Sequence, residues 1–326
     1  IDPTPLLKEE YATFVNHQQT VNKLLNSMSG SFEKVLDDFE FSHHFYVVKP
    51  FYNATSLEKW LTQEHTEPEL LAVAGGLAAI LVEMEKNGIV HFDLKPPQVM
   101  VDKASGAPLI CDFDFSVITG KSRSHKVAMT PFYFATEHLK RDLDAFTQAT
   151  NVFLMALVIF EMVTRGHKPH LAEDVEQYEQ AIAGYKVRRL KELLPGATQE
   201  IDDLLYRALD PDPAKRPAPA EFAAAFASGK LAGPAVAKRL ELRTPSSLPL
   251  SIWQDTVVGR DEMRIFGDER KFTEKKQFRL YPGPEGWLIE EQPGTTNRTK
   301  LNGTPLPEGP VALENGSRFA IREGGL

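Results

Sequence analysis

Apolar residues Leu7, Tyr11, Phe14, Val21, Leu24 and Leu25 recur near helical spacing and predict a helix from residue 1 to about 30. Phe32 to Phe41 and Phe45 to Val48 predict a strand pair turning at His43-His44. Lys49 to Asn53 breaks that pattern, and Ser56 predicts the cap of a short helix through Trp60. From Glu67 to Asn87, Leu70, Leu71, Ala74, Leu77, Ala78, Leu81 and Met84 share one helical face, and Gly88 ends the run. Val99 to Val101 and Leu109 to Cys111 flank the turn-forming Lys103 to Pro108 and predict a hairpin. Val152 to Phe160 is nine apolar residues on end, a helix for the middle of a large lobe. Ile201, Leu204, Leu205, Ala208 and Leu209 mark another helix, and helix continues to about Ala227. Beyond Leu240 short strands alternate with Gly and Pro turns, the texture of a β-sandwich.

At 326 residues the chain is long enough for two domains. A net charge of −8 argues against a general nucleic-acid binder. Cys111 is the single cysteine, which excludes a disulfide framework and fits a reducing, cytoplasmic setting. No run approaches the roughly eighteen apolar residues of a membrane span, and no signal peptide is recognisable. The chain opens on Ile1 rather than Met and reads as a fragment or processed form, so an anchor elsewhere stays open.

The chemistry concentrates around the predicted hairpin. One acidic loop, with Asp93, precedes its first strand, and another, with Asp112, follows its second. A strand pair would hold both carboxylates over one cleft. Phosphoryl transfer needs such a pair: one carboxylate orients a hydroxyl and accepts its proton, the other holds the metal that bridges the phosphates. Lys95, two residues on from Asp93, could neutralise charge on the transferred group.

The run His91-Phe92-Asp93-Leu94-Lys95-Pro96-Pro97-Gln98, followed by Asp112-Phe113-Asp114, resembles the catalytic and metal-binding loops of eukaryotic-like Ser/Thr protein kinases. It departs from them at Phe92, Gln98 and Asp114, where the family has Arg, Asn and Gly. Met129 to Glu137 is similar to the G-T-x-x-Y-x-A-P-E segment, and Asp210 to Pro217 to the D-P-x-x-R-P run. The resemblance implies an α+β protein-kinase-like fold with a mainly helical large lobe and an incomplete small lobe. It implies Mg2+ and ATP, with Asp93, Lys95 and Thr130 catalytic and Gln98 and Asp112 on the metal. It places Pro50, Tyr52 and Cys111 at the nucleotide. It also pairs Arg216 with Glu137, and sets Asn151 where an Asp secures the catalytic loop. Ser122 and Ser124 lie in a polar, basic stretch between Ile118 and Ala128 that reads as mobile.

Val257-Val258-Gly259-Arg260 and Gly294 to Gly303 resemble the forkhead-associated (FHA) phosphothreonine-binding module, which covers Leu240 to the end. That resemblance puts Arg260 on the phosphate and Thr296 and Asn297 on the peptide. The family's S-x-x-H pair is missing. Alignment on Arg279-Leu280 puts Glu274 and Gln277 there, and a one-residue shift would put Thr273 at the Ser.

The expected organisation is a partial kinase small lobe and hinge over 1–53, a kinase-like large lobe over 54–227, a linker over 228–239 and an FHA-like sandwich over 240–326. A kinase also needs a Gly-rich loop and a strand lysine paired with a helix Glu, and neither motif precedes the first helix. His17 or Gln18 stands where that Glu would be, with Lys8, Glu9 and Glu10 nearby. The leading reading is an ATP-dependent Ser/Thr kinase acting on a protein, with a docking module for a phosphothreonine-bearing or other protein partner. A pseudokinase scaffold is the alternative, favoured by the departures just named. A small-molecule phosphotransferase of the aminoglycoside kinase type shares H-x-D and D-F-[DE], but Thr130 to Glu137 and Asp210 to Pro217 argue against it.

Overall fold

The computed structural model describes residues 8–42, 44–119, 130–140, 145–227, 231, 240–242, 250–252, 256–260, 263, 273–282 and 286–321. Two compact units divide the chain: Ile1–Val163, Lys168–Arg189 and Ala197–Leu231 form the first, and Thr164–His167, Leu190–Gly196 and Ala232–Leu326 the second.

In the first unit, α1 (Lys8–Ser27) buries Phe14 and Val15 against Phe45. Phe45 lies in β2 (His44–Val48), which pairs antiparallel with β1 (Asp37–Phe41). The first strand thus begins at Asp37, five residues later than its apolar pattern predicts. Phe32 and Glu33 are diverted elsewhere: Phe32 forms a parallel bridge with Ile110, and the Glu33 amide donates to the Ile110 carbonyl at 2.9 Å. The diversion buries the Phe32 ring completely, 6.0 Å from that of Phe113.

β3 (Ala54–Ser56) leads into α2 (Leu57–Trp60), whose N-terminus is capped by the Ser56 hydroxyl as expected. α3 (Glu67–Lys86) starts in a Thr66/Glu69 capping box, and Gly88 at φ +62° turns the chain after it. β4 (Ile89–Val90), β5 (Val99–Asp102), β6 (Pro108–Ile110) and β7 (Val117–Ile118) follow. β5 pairs with β6, and β4 with β7. Loops 91–98 and 111–116 are therefore clamped at both ends by neighbouring strands and run side by side. β3 adds to β5, in the order β3-β5-β6.

α4 (Thr136–Leu139) precedes α5 (Gln148–Val163), in which every side chain from Val152 to Phe160 is buried. α3 packs against α5 and, in the same unit, against α9. The later helices are α6 (Val175–Ala183), α7 (Leu190–Leu193) of the second unit, α8 (Gln199–Ala208) and α9 (Pro219–Ala227).

The second unit carries β8 (Leu240–Leu242), β9 (Leu250–Ile252), β10 (Thr256–Val258), β11 (Phe278–Pro282), β12 (Trp287–Glu291), β13 (Lys300–Leu301), β14 (Thr304–Pro305), β15 (Val311–Ala312) and β16 (Phe319–Ala320). They form sheets in the orders β10-β11-β12-β15, β14-β13-β16 and β8-β9. Val258, Phe278, Leu280 and Ile289 of the largest sheet share one apolar core with Leu301 and Phe319 of the second. No helix among the described residues is long and apolar enough to cross a membrane.

Candidate active site

Asp93 sits in the loop from β4 to β5. Its amide donates to the His91 carbonyl at 3.0 Å, and Phe92 between them adopts φ +71°. This tight turn is tied from beneath by Asn151: its Oδ1 accepts the His91 amide at 3.0 Å and its Nδ2 donates to Ile89 O at 2.8 Å. An Asn here supplies an acceptor and a donor, which a carboxylate could not.

Three predicted catalytic groups meet. The Thr130 hydroxyl donates to Asp93 Oδ1 at 2.6 Å, and Lys95 Nζ donates to Asp93 Oδ2 at 2.6 Å and to Thr130 Oγ1 at 2.5 Å. Each carboxylate oxygen keeps a lone pair for a further donor. Thr130 is held in turn by the segment that follows it. The Tyr133 amide donates to the Thr130 carbonyl, and Glu137, just beyond, is locked by Arg216. Ser122 and Ser124 lie outside the described residues.

The second pair of predicted residues also meets. A short 3-10 turn, Pro96–Gln98, directs Gln98 across to the next loop, where Nε2 donates to Asp112 Oδ2 at 3.2 Å. Gln98 is 7% exposed, yet its Oε1 has no hydrogen-bond partner. Among the described residues no cluster of three or more His, Cys, Asp or Glu could hold a metal alone. Magnesium commonly takes one or two carboxylates together with phosphate oxygens. An Asp112 carboxylate beside a vacant amide oxygen fits that demand.

Asp112 adopts φ +69°, unfavourable for a residue with a Cβ. Glu33 holds it there: Oε1 accepts the Asp112 amide at 3.0 Å and the Phe113 amide at 3.3 Å. The other oxygen, Oε2, lies 2.8 Å from Lys49 Nζ. Sequence reasoning missed both residues, because no local pattern links Glu33 to an amide nearly eighty positions on. Of the residues considered for the helix Glu, His17 donates from Nε2 to Ser116 O, and Gln18 from Nε2 to Asn22 Oδ1. The side chains of Lys8, Glu9 and Glu10 lie outside the described residues.

The residues expected at the nucleotide fare differently. Pro50 and Tyr52 occupy the stretch between β2 and β3, and the Tyr52 hydroxyl accepts the Lys34 amide at 2.7 Å. Cys111 joins the two loops through its backbone and donates from Sγ to Gln98 O at 3.3 Å. Burial, then the Glu33 and Asp112 carboxylates, push its thiol up to about 12, so it stays protonated and unreactive.

Around these loops stand buried neutral imidazoles. His138 accepts the Ala135 amide at Nδ1 and donates from Nε2 to Phe92 O, both at 3.0 Å. His91 donates from Nε2 to Cys111 O at 3.0 Å and leaves Nδ1 without a partner. Burial lowers the pKa of both rings.

In the second unit, Arg260, Thr296 and Asn297 are exposed on two turns. Gln277, fully buried, joins these turns: its Oε1 accepts the Glu274 amide, and Nε2 donates to Asn297 O and Thr299 Oγ1. Glu274 O in turn accepts the Arg260 amide at 2.9 Å. Thr273 is also buried, so the one-residue shift does not put a hydroxyl on the surface. Gly259 is required here, since a Cβ would lie 1.9 Å from the Lys275 carbonyl oxygen.

Comparison with known proteins shows the family. The family profile for the protein kinase domain matches residues 13–225. The chain belongs to the protein kinase family. It is 29% identical over 155 residues to calcium-dependent protein kinase 10 of Arabidopsis thaliana, covering 47% of this chain and 28% of that protein. It is 30% identical over 176 residues to the serine/threonine-protein kinase/endoribonuclease IRE1b of Arabidopsis thaliana, covering 51% of this chain and 19% of the relative. With human serine/threonine-protein kinase ULK3 the identity is 26% over 187 residues, 56% of this chain and 39% of the relative. The chain thus spans well under half the length of these curated relatives.

Proposed function

We propose that the first unit transfers the γ-phosphoryl group of ATP to a serine or threonine hydroxyl of a protein. The observation that carries this is the closed triangle of Asp93, Lys95 and Thr130 beside the Asp112–Gln98 pair. Asp93 accepts the hydroxyl proton as the oxygen attacks, and Thr130 fixes the carboxylate plane. Lys95 stabilises negative charge on the group in transit. Asp112 and Gln98 Oε1 would hold magnesium, which would supply positive charge to the phosphate oxygens. Pro50, Tyr52 and Cys111 line the nucleotide side. Formation of the full triangle and the vacant Gln98 oxygen favour transfer over the scaffold reading, although Phe92, Gln98 and Asp114 depart from the family pattern.

In this reading residues 1–53 are the partial small lobe and hinge, 54–227 the large lobe, 228–239 a linker and 240–326 an FHA-like docking sandwich. The expected setting is the cytoplasm, with protein partners and no nucleic acid. Asp93→Asn in the whole protein tests the chemistry. Removing a general base costs about 10²–10⁴ in rate, so phosphate transfer to a protein substrate should fall by at least a hundredfold while the melting temperature holds. Unchanged transfer would remove the role given to Asp93.

A further inference from the structure

Beyond Thr130 the chain builds a recess that the chemistry above does not use. Phe132, Tyr133, Leu157, Glu161, Lys168 and Tyr178 line it, all within the first unit. Phe132 adopts φ +67°, and its ring meets that of Tyr178 edge-on at 5.7 Å. The Tyr133 hydroxyl donates to Oε2 of Glu161, near the end of α5, at 2.5 Å. One ammonium lies over these rings. Lys168 Nζ stands 3.8 Å from the centre of the Tyr133 ring and 5.6 Å from that of Phe132. Its distance to Glu161 Oε2 is 3.9 Å, an ion pair too long for a hydrogen bond. Among the described residues Lys168 Nζ meets only these two ring faces and this carboxylate, and donates no hydrogen bond.

Two charges share the recess, and their depths decide which one an incoming group meets. The Lys168 side chain is 36% exposed and that of Glu161 13%. Glu161 already accepts the Tyr133 hydroxyl, whereas the three N–H donors of the ammonium stay open. Burial lowers the Lys168 pKa, and Glu161 offsets it only in part. Burial likewise raises Glu161 against Lys168 and the Tyr133 hydroxyl, with Glu58 the weakest influence. The pair thus leaves both charges under-compensated, and exposure and open donors favour an anion at Lys168 over a cation at Glu161. His170, whose pKa is about 4, closes the recess and adds no charge near neutrality.

The recess also lies close to the candidate catalytic carboxylate. The Tyr133 amide donates to Thr130 O at 3.1 Å, a turn that keeps their Cα atoms within about 7 Å. Thr130 in turn donates to Asp93. An extended substrate rises about 3.3 Å per residue, so two or three residues span the gap. We propose that Lys168, seated on Tyr133 and Phe132, is a specificity-determining residue that binds a carboxylate side chain of the protein substrate within three positions of the target hydroxyl. The assignment rests on the phosphoryl-transfer reading above and narrows its substrate class to acidic segments.

A peptide array tests it, each peptide with one serine in an alanine background. Asp, Glu, phosphoserine, Lys or Leu is placed in turn at each of the four positions on either side. The whole protein is read twice, by retention without nucleotide and by phosphate transfer with MgATP. Asp or Glu within three positions of the serine should exceed Lys by roughly fivefold in both readings, the scale of a partly screened ion pair. Lys168→Arg should keep the preference, Lys168→Met should lose it, and Lys168→Glu should reverse it toward Lys. An acidic preference in retention with no transfer would support the recess and overturn phosphoryl transfer. Transfer without an acidic preference, or with one that survives Lys168→Glu, would overturn the proposal and leave phosphoryl transfer standing. A wild-type preference for Lys would move recognition to Glu161, and one for phosphoserine over Asp and Glu would replace the carboxylate with phosphate; either overturns the assignment. Neither retention nor transfer on any peptide would overturn both.

Discussion

Arg216 grips Glu137 as a two-pronged fork, with Nη1 2.6 Å from Oε1 and Nη2 2.7 Å from Oε2, and both side chains are almost wholly buried. The other donors are satisfied as well: Nε by Asp210 O, Nη1 by Ala149 O and Nη2 by Thr136 Oγ1. All five guanidinium N–H groups thus have acceptors, an arrangement that an ammonium cannot reproduce. The fork ties α4 to the start of α5, and so fixes the segment that carries Thr130. Burial opposes the Glu137 charge, but Arg216 and Thr150 outweigh it and lower its pKa below the ordinary 4.5.

Breaking one side of a buried pair costs about 3–5 kcal/mol, because the other charge is stranded. Arg216→Ala should therefore destabilise the first unit by that amount in urea unfolding. Arg216→Met with Glu137→Leu should cost less than either single change. A single-mutant loss below about 1 kcal/mol, the range of exposed pairs, would contradict the burial argument.

His170 makes the stability of the same unit depend on pH. Its Nδ1 donates to Lys186 O at 3.1 Å, its Nε2 is buried without a partner, and its ring packs on Phe153 and Tyr178. Burial first, only partly offset by the Lys186 carbonyl, lowers its pKa from 6.5 to about 4. The unfolded chain takes up a proton below about 6.5 while the folded protein does not. Stability is therefore full above pH 6.5 and is lost as pH falls toward 4, by about 3 kcal/mol for this group. His91 and His138 act in the same direction. His170→Asn keeps a donor near Nδ1 but does not titrate. Its unfolding free energy should vary less between pH 6.5 and 4.5 than that of the wild type, and an equal slope would exclude His170 as a source.

These relationships differ in how far the sequence announces them. α5 was legible because an all-apolar helix has one home, and the Glu137–Arg216 pair because both residues stand in recognisable runs. The hairpin carrying Asp93 and Asp112 was legible from two short apolar runs and a turn. Glu33 was not, since its partners are amides, which carry no side-chain signature. Its neighbour Phe32 has strand character but lies outside β1, a choice settled by packing against Phe113. Gln277 reads as a missing phosphate ligand in sequence and proves to be a buried brace between turns.

Phe92 bears on control. Its ring is 3% exposed, with centroids 4.4 Å from Phe146 and 4.6 Å from His138. The resemblance places at this position an Arg that would hold an activating phosphate, whereas a buried phenyl offers no charge. Phosphorylation of Ser122 or Ser124 is therefore expected to leave activity unswitched. The Ser122→Ala, Ser124→Ala double variant should keep kcat/KM within twofold, and a large loss would show another cation reading that loop.

Arg260 uses Nε on the Thr273 carbonyl at 3.1 Å, which orients the guanidinium. Thr296 and Asn297 stand exposed on the neighbouring turn, so the proposed phosphothreonine site keeps part of its donor set. Glu274 occupies the aligned position of the family's serine, which removes a hydroxyl donor and adds a like charge. A hydrogen bond to an ion contributes roughly 1.5–3 kcal/mol, and each 1.4 kcal/mol is a decade of affinity. Phosphothreonine peptides should thus bind the whole chain at least about tenfold more weakly than they bind Glu274→Ser. Gln277→Ala should instead loosen both turns and lower the unfolding temperature of this unit. Submicromolar binding by the wild type, lost in Arg260→Ala, would show that Glu274 points away from the phosphate and that the site is fully competent.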